Sequence, residues 1–179
     1  MTATATPPIG KVIDRLAADF KSDHGIPAGD IAALRRYRPG DGGSPVFWKL
    51  AVHYLEPDGY LPEYEGAARE KAEKRWAAIL AGMAETKGRH DKKRKLGKVL
   101  RDEDVKEHRV LRLLRARDLP LLRIVRSVVH QLSSAGAAFD WNDLAQLILS
   151  DGTKREKSVR RRIARDYYRP APAKAEETE

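Results

Sequence analysis

The sequence has no cysteine. That excludes a disulfide framework, thiolate metal sites and a cysteine nucleophile, and it is compatible with a reducing compartment. No apolar run approaches the roughly 20 residues a membrane span needs. The opening MTATATPP has neither the charged nor the apolar region of a signal peptide. No stretch alternates apolar and polar residues with β-branched side chains, so no strand is predicted. There is no fixed-period repeat, no phosphate-cradling glycine loop and no nucleophile elbow. The histidines at 24, 53, 90, 108 and 130 are scattered, and none forms a helical pair beside a glutamate. Asp102-Glu103-Asp104 reads as helix-start acids rather than a metal cluster. These absences leave no catalytic residue, metal site or cofactor to assign. The expectation is a non-enzymatic, soluble, cytoplasmic protein that does not engage a membrane.

What is present is charge in one place. The chain of 179 residues carries 35 Lys or Arg against 26 Asp or Glu, a net +9. Residues 87–126 alone hold 15 basic and 6 acidic side chains, also +9, so the remainder is balanced at 20 of each. A neutral body with one basic segment points to a polyanion partner such as a nucleic-acid backbone. An apolar fraction of 41% with 34% charged residues predicts thin helical layers rather than a deep interior. The length fits one domain or two small ones sharing a core.

The fold class expected from periodicity is all-α: about eight helices in two packed helical halves, with no sheet. Residues 1–8 are read as a disordered N-terminus, 9–86 as the N-terminal helical half, 87–95 as a mobile basic loop, 96–169 as the C-terminal half and 170–179 as a disordered acidic tail. Val12, Ile13, Leu16, Ala17 and Phe20 mark the first helix. Asp30 is expected to cap the second. Ser44-Pro45 should start a third that runs through Leu55, because serine accepts orphan amide hydrogens and proline suits the first turn. Ala72, Trp76, Ile79, Leu80 and Met83 form the stripe of a long helix from about Ala67. Asp104 with Glu107 predicts a helix start. Asp118 with Pro120 predicts a break and restart. Asp140 should cap the next helix, and Thr153 with Glu156 should form a capping box for the last. Trp48, Trp76 and Trp141 are all read as core residues.

The candidate nucleic-acid-binding side chains follow from this layout. Arg109, Arg112 and Arg115 recur at three-residue spacing beside a leucine face, and Arg123 and Arg126 repeat the pattern on the next helix, extended by His130. The loop adds Lys92, Lys93, Arg94 and Lys95, with Lys98 and Arg101 continuing the run. Arg35 and Arg36 lie off the apolar face of the second helix. Guanidinium groups grip phosphates with paired hydrogen bonds, and flexible lysines track a strand without reading bases. An alternative places a helix-turn-helix in residues 140–169, with Lys157, Arg160, Arg161 and Arg162 in a major groove, as in a stand-alone regulator. A further alternative is a purely architectural subunit.

Several ordered segments carry a family resemblance: AALRR (32–36), SPVFWKL (44–50), KLGKVL (95–100), HRVLRLLRARD (108–118), LLRIVRSVV (121–129), FDWNDLAQLIL (139–149) and RIARDYY (162–168). By their order and spacing the chain resembles the CasB family, the small subunit of the type I-E CRISPR surveillance complex Cascade. The resemblance implies an all-α, non-catalytic protein. It implies the other Cascade subunits (backbone and large) as partners, with a second copy of the chain itself. It also implies CRISPR RNA and target DNA, with contacts to the target and displaced strands that stabilise the R-loop in antiviral defence. By position, Arg35, Arg109, Arg112, Arg115, Arg123 and Arg126 match basic positions of that surface, and Lys92 and Lys93 fit the displaced-strand side.

Overall fold

The structure is a computed structural model that describes residues 8–41 and 43–170. The expected disorder of residues 1–7 and 171–179 lies outside them. Among the described residues there are nine α-helices and no strand. They are α1 (Ile9–Lys21), α2 (Ala28–Arg35), α3 (Pro45–Leu50), α4 (Ala67–Glu85), α5 (Leu96–Asp102), α6 (Glu107–Arg115), α7 (Asp118–Ser134), α8 (Trp141–Ser150) and α9 (Glu156–Tyr168). A π-helical turn, Ala51–Leu55, continues α3. No helix among the described residues is long and apolar enough to cross a membrane.

Most of the predicted apolar positions are buried, Ala72 being only partly so. α1 turns Val12, Ile13, Leu16, Ala17 and Phe20 inward. The second half of α4 is buried on nearly every side, from Trp76 to Ala84, and it touches α1, α2, α7 and α8. Its small residues make that possible. A Cβ on Gly82 would sit 2.6 Å from Cη2 of Trp141, so the indole lies directly on the α4 backbone. Trp141 Nε1 donates to Thr86 Oγ1 at 3.2 Å, satisfying the polar end of a fully buried ring. The buried apolar side chains form one continuous core that draws on residues before and after the 87–95 segment.

Two predicted caps are present. Ser44 Oγ accepts from the Phe47 amide at 3.2 Å, and Asp140 Oδ1 accepts from the Asn142 amide at 3.1 Å. Other boundaries move. Asp30 lies inside the first turn of α2, behind Pro27, and pairs with Lys49 Nζ at 2.7 Å. Asp104 does not cap; it has φ +53° in the turn between α5 and α6, and α6 begins at Glu107. α9 begins at Glu156 itself. Thr153 Oγ1 accepts from the Arg155 amide at 3.2 Å, while Glu156 Oε2 reaches back to the Gly152 amide at 3.0 Å. The expected reciprocal capping box is therefore not formed: the Glu156 amide donates to the Thr153 backbone carbonyl, and the two side chains instead bind amides in the turn before α9.

α5 is not predicted because two turns with a glycine at the second position carry little periodic signal. Its stability is tertiary. A Cβ on Gly97 would lie 2.2 Å from the Ile163 carbonyl oxygen, so α5 packs against α9 at backbone distance. The 87–95 segment, expected as a free loop, is tied down along its length. The Asp91 amide donates to Phe139 O at 3.1 Å and the Asp140 amide to Arg94 O at 2.8 Å. His90 Nδ1 accepts from the Trp141 amide at 3.1 Å, which leaves its Nε2–H to donate to Asp14 Oδ1 at 3.2 Å. Low apolar content hid these contacts because they are polar and long-range.

Candidate nucleic-acid interface

α6 and α7 carry the central arginines. Val110 and Leu113 of α6 face the core. On α7, Leu121, Leu122, Val125, Val128, Val129 and Leu132 do the same, so Arg123 and Arg126 point outward. Arg112, Arg115, Arg123 and Arg126 are exposed, and none of their side chains makes a hydrogen bond or ion pair with the described residues. Arg109 differs from its neighbours. It is half-buried, with Nη1 donating to Gln131 Oε1 and Nη2 to Ser127 Oγ, both at 2.6 Å. Both partners belong to α7, so Arg109 fastens α6 to α7.

Arg35 reaches the same region from α2. Its Nε donates to Ala84 O at 3.0 Å. Arg35, Arg123, Arg126 and His130 line a groove of about 430 Å³ between α2, α4 and α7. At one end His130 Nδ1 lies 3.0 Å from Glu85 Oε1. Arg36, one residue on, is exposed and unpaired among the described residues.

The loop cations are mostly committed. Lys92 Nζ pairs with Asp14 Oδ2 at 2.6 Å, Arg94 with Glu103 at 3.5 Å and Arg101 with Asp102 at 2.8 Å. Lys95 Nζ donates to Asp140 Oδ2 at 2.6 Å, and that bond raises the lysine pKa against the opposing effect of burial. Asp140 is 2% exposed, so Lys95 cannot leave it without stranding a buried carboxylate. Lys93 is exposed and Lys98 half-exposed, and neither side chain is paired among the described residues. The predicted set thus divides. Arg36, Lys93, Lys98, Arg112, Arg115, Arg123 and Arg126 can exchange counterions for phosphates with nothing to break. Arg35, Lys92, Arg94, Lys95, Arg101 and Arg109 already hold protein partners.

One basic stripe was missed. Lys157, Arg161 and Arg165 lie on α9 at four-residue spacing, exposed and unpaired among the described residues. That spacing is visible in the sequence, but the helix-turn-helix alternative groups Lys157 and Arg161 with Arg160 and Arg162. The structure separates them. Arg160 is 9% exposed. Its Nη1 donates to Leu114 O at 2.5 Å, its Nη2 to Asp151 Oδ1 at 3.0 Å, and its Nε lies 3.1 Å from Glu156 Oε1. Arg75 and the Asp118 amide complete the shell of Asp151. Burial alone would raise the Glu156 pKa, but the Gly152 amide and the guanidinium groups of Arg117 and Arg160 hold it below the usual carboxylate value. Arg162 bonds Gln146 and Asp143 on α8. Arg160 is therefore a packing residue and cannot enter a DNA groove.

Trp76 and Trp141 are buried as predicted, but Trp48 is 40% exposed. Phe47 and Leu50 take the inward face of α3, and Trp48 lies edge-on to Phe47 at 5.3 Å between centroids. No group of three or more His, Asp or Glu side chains among the described residues could hold a metal ion.

The fold has close counterparts. CasB from Thermobifida fusca superposes with a TM-score of 0.70 at 19% identity, over 92% of this chain and 100% of that one. CasB from Thermus thermophilus gives 0.61 at 25% identity, over 87% and 97%. A chain of E. coli Cascade bound to a PAM-containing dsDNA target gives 0.62 at 21% identity, over 86% and 92%. No curated protein matches the sequence significantly. The family profile described as CRISPR-associated protein Cse2 matches residues 30–168, well over half of the chain and all helices from the first turn of α2 to the end of α9. The protein belongs to the Cse2 family of CRISPR-associated proteins.

Proposed function

We propose that this Cse2 protein is a non-catalytic subunit of a cytoplasmic type I-E Cascade complex. In that complex it contacts the target and displaced DNA strands and stabilises the R-loop. The observation that carries the nucleic-acid part is the set of exposed arginines Arg112, Arg115, Arg123 and Arg126 on adjacent helices, unpaired among the described residues. Family membership and the likeness to a chain of DNA-bound E. coli Cascade support the assembly part. Its partners are then the backbone and large subunits, a second copy of itself, CRISPR RNA and target DNA. Exchanging a DNA duplex for a guide–target heteroduplex is nearly balanced in energy, so a few backbone contacts can tip it. The test is the assembled complex carrying Arg112→Glu with Arg115→Glu. Both side chains are exposed, so assembly should persist while R-loop formation weakens at moderate salt. Unchanged target binding with an unchanged salt dependence would leave only an architectural role.

A further inference from the structure

We infer that the groove between α2, α4 and α7 seats an unpaired base of single-stranded DNA, with Arg123 and Arg126 holding the adjoining phosphates. This rests on the nucleic-acid-binding reading above and adds a specific site to it. A surface that binds only phosphates needs no apolar slot, yet this one has a floor of Ala78, Ala81, Leu122 and Val125. Its volume of about 430 Å³ lies within the range of small-ligand sites, about 300–1,000 Å³. Alanines on α4 keep the slot open where larger residues would fill it.

Two planar groups line the slot. The Arg35 guanidinium is fixed by its Nε bond to Ala84 O, with no other partner among the described residues. The Tyr37 ring is fixed by its hydroxyl, which donates to Lys74 O at 3.3 Å. Pre-oriented guanidinium and aromatic planes beside an apolar floor are what base stacking uses. The polar ends give the site a direction. Glu85, bonded to His130, repels phosphate but accepts a hydrogen from an exocyclic amino group. The seven helical steps from Arg123 to His130 span about 10 Å, so phosphate sits toward Arg123 and the base edge toward Glu85. A base held in a duplex cannot enter without flipping, so the strand is single.

The test uses the purified full chain and two labelled probes of equal length, oligodeoxycytidylate and a fully abasic strand, titrated by fluorescence anisotropy. The wild type should bind the base-bearing probe roughly tenfold more tightly, within the range of one stacked base. Ala81→Leu fills the slot and should bring that probe down to the abasic level, with thermal melting showing that the variant is folded. The wild-type comparison stands without any variant. Equal binding of the two probes, lost with Arg123→Gln and Arg126→Gln, would overturn the base slot while leaving the phosphate surface in place. Equal binding with self-association altered by Ala81→Leu would assign the groove to a second copy and overturn it as well. Binding of both probes that is unaffected by the arginine substitutions would overturn the slot alone, because Arg123 and Arg126 then hold no phosphate beside it, whereas no binding of either probe would overturn the slot and the nucleic-acid reading together.

Discussion

Asp151→Ala should be among the most damaging single substitutions in this protein. Asp151 is 3% exposed and sits where the end of α8 meets the start of α7 and the middle of α4. Oδ1 takes the Arg160 guanidinium at 3.0 Å. Oδ2 takes the Asp118 amide at 2.8 Å and Arg75 Nη2 at 3.3 Å. Alanine removes the acceptor but leaves the cations half-committed. Breaking a buried ion pair from one side costs about 3–5 kcal/mol because the remaining charge is uncompensated. Here Arg160 keeps Glu156 and the Leu114 carbonyl, so the lower end, about 3 kcal/mol, is expected. For a chain of this length that is a fall in Tm of about 6–12 °C. Urea denaturation at neutral pH, with the slope m unchanged, measures it directly. The control is Asp58→Ala, which breaks an ion pair to Arg15 at 3.4 Å whose side chains are 49% and 36% exposed; it should cost about 0.2–1 kcal/mol. A loss at Asp151 no larger than at Asp58 would refute the claim that this buried knot positions α9.

Three further outcomes are expected. Gly97→Ala should destabilise by about 1–3 kcal/mol despite the better helix propensity, because the new Cβ meets the Ile163 carbonyl, whereas Gly29→Ala, with open space around it, should gain a few tenths; paired thermal melts compare them. The Glu156 pKa is depressed in the folded state, so its contribution is present above the unfolded carboxylate range and lost as pH falls through the folded value. Glu156→Gln should therefore lower stability at neutral pH and flatten its fall on the acid side, as read from melts at a series of pH values. Finally, Arg112→Gln with Arg115→Gln should reduce the slope of log K against log salt for single-stranded DNA by about 1.4, at about 0.7 per phosphate, which is about sevenfold in affinity across a fourfold salt change. An unchanged slope in titrations at several salt concentrations would show that these arginines do not touch phosphate.

The sequence by itself determined the longer helices and their inward faces, though not α5 or the outward turn of Trp48. Apolar spacing and side-chain caps act within a turn or two, so the stripes of α1, α4, α7 and α8 and the caps at Ser44 and Asp140 can be read from neighbouring residues. It also determined where the charge excess lies, since that is a property of composition. Tertiary structure alone decided which cations are free. Arg109 and Arg112 look alike on one helix, yet Arg109 is claimed by Gln131, 22 residues away, and Arg112 is not. Arg35 is fixed by Ala84, 49 residues away, and joins Arg123 and Arg126 only because α2 and α7 both pack on α4. α5 exists as a helix because Gly97 admits the α9 backbone. Pairing and packing of this kind join residues far apart in the chain, and no local period records them.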